Sequence, residues 1–323
     1  MTRTPTPSLL VLVAILVFSP SLTFAQATGD AAVRDAARAA AKAAERTAAE
    51  ARAGAAAADS TLWAHDLIAN ISGTQAGFQN WAEGGVNTLA LSLGLNGQSQ
   101  KDYGAWAQKH TYRLSFGLVK QDTLDFRKAE DLIRFASTFT YAGGGTFNVL
   151  NPVFAVTGRS QFASGFNFNK DPFGEDRPTP VKVSEFMSPA TFTQSLGLSW
   201  KPREYVSQRL GIAAKETVVL EEGLRTLYAV SPDKSVRFEL GIDAFTDFQK
   251  EIFTNVVYQS QFGAFAAFNN PDKPDIIWEN ALNMKVNSWL GVNLEWTVLY
   301  DNDVSTQAQF KEIFAVTVSY HFL

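Results

Sequence analysis

The chain contains no cysteine. That excludes a disulfide framework and any thiolate-ligated metal site. Only three histidines are present, His65, His110 and His321, so any His-assisted nucleophile must be built on one of these positions. The formal charge is −4, which lacks the basic footprint of a nucleic-acid binder. After one apolar run at the N-terminus, no stretch reaches the roughly 20 apolar residues that a membrane helix requires. Aromatic residues are plentiful instead: 25 Phe, 8 Tyr and 7 Trp. A membrane protein without spanning helices must be a closed barrel, because only these two structures satisfy every backbone group in lipid.

Arg3, the apolar run Leu9 to Phe18, Pro20 and Ala25-Gln26-Ala27 lay out a secretory signal peptide over residues 1–27. The run is too short for an anchor helix, and no Cys follows it to carry a lipid. Residues 28–61 form an Ala-rich block without proline. Arg34, Arg38, Lys42 and Arg46 repeat every four residues among strong helix formers. The pattern predicts a periplasmic helix from Asp30 to Ala53, stopped at Gly54, and about 36 Å long at 1.5 Å per residue. Val33 is its only large apolar residue, so it has little to bury. It reads either as a solvated spacer or as an Ala-seamed helix for a periplasmic partner.

Residues 62–323 read as strands. The end of the chain shows the pattern best: Phe314, Val316, Val318, Tyr320 and Phe322 alternate with Ala315, Thr317, Ser319 and His321. Period-two alternation puts the apolar set on one face and the small or polar set on the other. Such a closing strand addresses the barrel-insertion machinery, although Leu323 follows the aromatic here. Leu89 to Asn96, Tyr112 to Val119, Phe192 to Trp200, Val236 to Asp243 and Leu290 to Val298 repeat the same template. The expected fold is an all-β antiparallel transmembrane barrel of about twelve strands, after a short N-terminal helix. The strands fall near 65–79, 87–98, 105–120, 127–142, 148–165, 190–201, 205–218, 234–246, 251–268, 275–286, 289–301 and 309–323, each within about 2–4 residues.

Lys201 to Glu204, Thr246 to Lys250 and Asn287-Ser288 read as short periplasmic turns. Asn167 to Pro189, Val219 to Asp233 and Asn269 to Pro274 read as longer outer loops. A soluble β-sandwich or lipocalin-like barrel needs a polar outside, whereas here the non-apolar face carries charge on many strands. Parity assigns Lys109, Arg113, Lys128, Glu130, Arg134, Arg209, Lys215, Arg237, Glu239, Asp243, Glu279, Lys285 and Glu295 to the lumen.

The stretch Gln75 to Leu91, QAGFQNWAEGGVNTLAL, resembles the N-W-x-x-G-G-x-N-(S/T) signature of an uncharacterised bacterial outer-membrane family, domain of unknown function 3078. Phe126 to Ile133 and Phe186 to Trp200 are similar to later segments of that family. The resemblance implies a barrel in the outer membrane of a diderm bacterium and brings no catalytic residues. The loop motif is Asn80, Trp81, Gly84, Gly85 and Asn87. Its Gly pair suits a tight turn and its Trp a membrane–water interface. It reads either as a well-made hairpin or as a rim loop that gates the lumen or meets a partner.

These features predict an exported, non-catalytic outer-membrane barrel that passes or binds a small solute through a charged lumen. One alternative is a closed structural barrel that anchors a partner by its loops or N-terminal helix. The third reading is an outer-membrane lipid hydrolase. His110 has outward parity, and only Ser137 on the next strand shares it. No cofactor is expected. Asp171, Glu175, Asp176, Asp301 and Asp303 read as solvated loop charge, since neither run completes a calcium loop.

Overall fold

The computed structural model of the chain describes residues 63–77, 86–305 and 307–322. The expected signal peptide and Ala-rich helix, with Asn80, Trp81, Gly84 and Gly85, lie outside the described residues. Fourteen strands follow in order: β1 (Ala64–Ala76), β2 (Thr88–Tyr103), β3 (Trp106–Gln121), β4 (Arg127–Tyr141), β5 (Asn151–Ser160), β6 (Gly165–Asn167), β7 (Val181–Ser184), β8 (Ala190–Arg203), β9 (Val206–Val218), β10 (Val236–Phe253), β11 (Val256–Ala267), β12 (Asp275–Lys285), β13 (Leu290–Tyr300) and β14 (Gln309–His321). Twelve of them close into an antiparallel barrel, and β6 with β7 forms a separate hairpin.

Closure leaves no free sheet edge, which is what lipid demands of backbone amides and carbonyls. The seam joins β1 to β14 from Ile68 opposite His321 to Gly73 opposite Val316. On its inner side Ser72 Oγ lies 2.8 Å from Thr317 Oγ1, and Ser319 Oγ donates to Asn70 Oδ1 at 2.7 Å. The outer side is apolar and uncovered by protein: Leu93, Leu196, Leu210 and Ile212 are 60%, 68%, 62% and 63% exposed. Side chains of opposite parity, such as Ala213, Ser195 and Thr317, are buried. An apolar exterior around a polar interior is the transmembrane arrangement. The alternation read from the sequence therefore holds along most of the wall, with a break at the β3–β4 register shift.

Both chain ends of the barrel lie on the side of the tight turns, which also carries the connection 142–150 between β4 and β5. Gly104, at φ +61°, and Ala105 turn β2 into β3. Thr254 and Asn255, the latter at φ +67°, turn β10 into β11. The opposite end carries the long connections 161–189, 219–235 and 301–308.

Two sequence expectations are corrected here. Thr246 to Lys250 is no turn: it continues β10, pairing with β11 from Phe262 to Tyr258. The polar run marks a strand leaving the apolar band, with Phe248 still outward and Asp247 still inward. The real turn comes where Asn255 adopts the left-handed conformation that Asn tolerates. The expected strand 148–165 is shorter, Asn151–Ser160, and the loop after it folds the unforeseen β6–β7 hairpin. That hairpin packs on the 219–235 loop: Tyr228 donates its hydroxyl to Val183 O at 2.6 Å, and Val219, Leu224 and Val230 form a small buried cluster with Phe173 and Tyr228 against it.

Candidate functional site

The inward charges do not line the lumen evenly. Arg113 on β3 stands directly opposite Arg134 on β4, which stands directly opposite Arg159 on β5. Like charges opposite one another on neighbouring strands destabilise a sheet. This ladder is compensated from the far wall. Arg134 Nη1 binds Glu279 on β12, and β4 and β12 lie halfway round the barrel from each other. Arg113 Nη2 donates to Glu295 Oε2 on β13 at 2.5 Å and lies 3.8 Å from Glu130 Oε1. Arg159 Nη1 donates to Glu279 Oε1 at 3.2 Å. Arg134 Nη2 also donates to Gln261 Oε1 at 2.9 Å, and Gln261 Nε2 donates to Asp247 at 3.0 Å. Ser115 Oγ fixes Glu130 at 2.8 Å.

The lattice therefore crosses the lumen from one wall to the other. It is not packed dry: the Arg113 and Arg159 side chains keep 37% and 41% of their exposure. Lys311 on β14 faces Thr297, which in turn pairs with Glu279, so it shares this level with inward parity. Among the described residues it makes no ion pair. Arg159 and Lys311 were missing from the residues assigned to the lumen by sequence. Their alternation with Phe154, Val156 and Gly158, and with Phe310, carried the signal.

Nearer the wall, Arg209 Nη2 donates to Asp243 Oδ2 at 3.0 Å, and Ser195 Oγ donates to Asp243 Oδ1 at 2.5 Å. Toward the long-loop end, Lys215 on β9 binds Asp275 on β12, and Arg237 on β10 binds Asp303 and lies 3.4 Å from Glu239. Carboxylate oxygens of Asp275, Asp301 and Asp303 come within 4.8 Å of one another. Lys215 and Arg237 already neutralise two of these three groups. Lys109 and Lys285 lie at the short-turn end, opposite Gln100 and Gly291.

Lys128 corrects the parity assignment. A bulge between Gly117 and Leu118 sets Glu130 opposite Gly117 and Lys128 opposite Leu118, so alternation slips by one residue. Lys128 Nζ donates to Asp131 Oδ2 at 2.9 Å and Ala163 O at 2.8 Å, under the 161–189 loop. It does not join the lumenal lattice. Asn87 of the loop motif exchanges two bonds with the neighbouring loop: Asn87 N donates to Asp122 Oδ1 at 3.0 Å, and Asp122 N donates to Asn87 O at 2.8 Å. Asp171 accepts N–H bonds from Phe173, Glu175 and Arg177, which closes the loop on itself. Desolvation raises its carboxyl, but the three N–H bonds and the Arg177 charge together outweigh it and hold the group below the usual range. His110 and Ser137 meet on the outward face, Nδ1 to Oγ at 2.9 Å.

No curated protein matches the chain. Among solved structures it is similar to the translocator domain of autotransporter NalP from Neisseria meningitidis, at 11% identity, over 90% of this chain and 98% of that one, with TM-score 0.35. It is also similar to an outer membrane channel from Pseudomonas putida F1, at 10% identity over 80% and 95%, with TM-score 0.36. The outer membrane channel DcaP of Acinetobacter baumannii matches at 8% identity over 80% and 97%, with TM-score 0.32. The family match covers the first two segments read from sequence, Gln75 to Leu91 and Phe126 to Ile133, and stops before Phe186. Residues 74–166 match the model of the family described as Protein of unknown function (DUF3078), the family that the N-W-x-x-G-G-x-N-T stretch of this barrel resembles.

Proposed function

We propose that the protein is a narrow, charge-filtered conduit of the outer membrane that admits small solutes past the Arg113–Arg134–Arg159 ladder. The carrying observation is the pair Arg134–Glu279 between opposite strands. A barrel of this strand number lies between side-chain-filled small barrels and open porins. Its free bore is therefore set by what projects inward. A basic ladder facing carboxylates makes a transverse field at the constriction, and charged rings of this kind select solutes. Arg113, Arg134, Arg159 and Lys311 stand at the level of Glu130, Glu279, Glu295 and Asp247, so the charges balance in number, and it is the clustering of three arginines on one wall that favours small anions. The partial exposure of Arg113 and Arg159 supports a wet path over a sealed one. The signal-like N-terminus supports delivery by export, with membrane lipid and the insertion machinery as partners.

Single-channel recording of the full chain in a planar bilayer tests this reading. The expected result is a small conductance with anion preference in a salt gradient, enlarged in Arg134→Ala. Silence from both forms would overturn it.

The closed structural barrel is the second reading, and the loop cap favours it. The buried Val219, Leu224 and Val230 cluster under β6–β7 gives the long-loop end a fixed surface, which suits partner binding without transport. No catalytic role is proposed.

A further inference from the structure

Near the short-turn end, the lipid-facing side of the wall carries a polar row across four neighbouring strands. His65, Ser99, His110 and Ser137 stand directly opposite one another on β1, β2, β3 and β4. All have the outward parity of Leu93, Tyr112 and Phe135. His65 Nδ1 lies 2.9 Å from Ser99 Oγ, and His110 Nδ1 lies 2.9 Å from Ser137 Oγ. Ser99 Oγ is also 3.2 Å from the Tyr112 hydroxyl. The Trp63 ring lies 6.2 Å from the His65 ring and 5.4 Å from the His110 ring, with Phe139 5.7 Å beyond His110. Lys101, two residues nearer the β2–β3 turn, shares the face and stands opposite Gln108. Among the described residues, neither imidazole Nε2 nor the Lys101 ammonium has a hydrogen-bond partner. The carboxylates of β1 and β2, Asp66 and Asp102, have the opposite parity.

The height of the row decides what it meets. Strand β2 has 16 residues, which at about 3.3 Å per residue and a tilt of about 40° spans about 40 Å. The apolar band is about 25 Å tall, which leaves about 8 Å of wall at each end. Ser99 and His110 stand about 10 Å above the turn on the same arithmetic. The row thus lies at the lower edge of the hydrocarbon, just above the aromatic pair Trp106–Tyr141 at 5.0 Å. Donors without partners at that depth face lipid headgroups, and burying them unpaired is costly.

We propose that this face is a docking site for an anionic phospholipid of the periplasmic leaflet. The phosphodiester accepts hydrogen bonds from Lys101 and the His65 and His110 Nε2 donors. Ser99 and Ser137 orient the two imidazoles, and Trp63 packs against the glycerol and upper acyl chain. The inference rests on the transmembrane placement of the barrel with its short turns in the periplasm, and is independent of whether the lumen conducts.

The test refolds the full chain into phosphatidylcholine vesicles containing a minority of phosphatidylglycerol, checks insertion by protease protection, and counts retained lipid by native mass spectrometry. Wild type is expected to keep phosphatidylglycerol selectively. The triple variant Lys101→Gln, His65→Gln, His110→Gln is expected to lose it on the order of tenfold, as removal of charge-assisted hydrogen bonds predicts. Lys101→Arg alone should retain it. Equal retention by inserted wild type and triple variant would overturn the site. Release of fatty acid that Ser137→Ala abolishes would also overturn it, in favour of hydrolysis. Failure to insert would overturn the membrane placement together with the site.

Discussion

Arg134 on β4 and Glu279 on β12 form an ion pair across the full width of the barrel. Neither residue has a complementary charge directly opposite it on an adjacent strand. Arg134 sits between Arg113 and Arg159, while Glu279 sits between Gln261 and Thr297. The pair therefore depends on closure of the sheet, and closure places the basic ladder within reach of the acidic wall.

Breaking that pair should act on both stability and bore. Glu279→Gln leaves two arginines of the ladder short of a carboxylate in a partly wet site. The expected loss is about 1–3 kcal/mol, measurable as a shift in urea unfolding from lipid vesicles. Conductance should rise in the same variant. A variant as stable as wild type with unchanged current would mean the bridge neither stabilises nor constricts.

Charge preference should follow the unpaired cation. Lys311→Glu shifts the balanced charge of the lattice to a net negative one, so the reversal potential in a salt gradient should move toward cation preference. Lys285→Glu, placed at the far end of β12, should move it less. An equal response from both would locate selectivity away from the ladder.

The exterior predicts the opposite sensitivity. Leu93 is 60% exposed on the lipid face, so Leu93→Arg should cost about 2–4 kcal/mol if it lies near the membrane midplane. Gln98→Arg, of inward parity and opposite Thr111 and Asp66, should cost less, since the lumen is hydrated. Equivalent losses would contradict the assignment of faces.

The loop cap should come apart without the barrel. Leu224 is 3% exposed in its cluster with Val219 and Val230, and Leu224→Ala should cost the cap about 2–4 kcal/mol. Hydrogen exchange across 219–235 should accelerate while the strands stay protected. Simultaneous loss of strand protection would show that cap and barrel fold as one unit.

The cap also carries a pH signature. Glu185 is held below its ordinary value of 4.5, chiefly by the hydrogen bond from Lys182, and Lys182 is held above its ordinary 10.5, chiefly by Glu185. The lowered carboxyl contributes stability that is complete above its ordinary value and is lost as pH falls through the lowered one. The raised ammonium contributes below its ordinary value and loses it as pH rises through the raised one. Proteolytic nicking of 181–188 should therefore be slowest between these limits and rise toward either side. Lys182→Met should flatten the profile, and an unchanged profile in that variant would remove this pair as the cause.

Much of the barrel was legible because a lipid-facing sheet writes itself into sequence with period two. All twelve wall strands had been anticipated, and β4, β8 and β9 nearly to the residue. Failures came where local pattern and backbone diverge. The run Thr246 to Lys250 is polar yet still in β10, because strands extend beyond the apolar band. Lys128 was assigned inward because a bulge that slips the register leaves no mark in alternation. The β6–β7 hairpin escaped notice because its strands are too short to show a period and are held by contacts with a distant loop.

Alternation by itself determined, wherever the strands run without a bulge, which side chains face lipid and which face the lumen, since each strand must expose an apolar side to the bilayer. It could not determine which inward charges meet. Strand order, stagger and closure decided that Arg134 reaches Glu279 across the lumen, that three arginines form a ladder, and that His65, Ser99, His110 and Ser137 fall in one row. Those relationships join residues far apart in the chain, and only the geometry of a closed, tilted sheet brings them together.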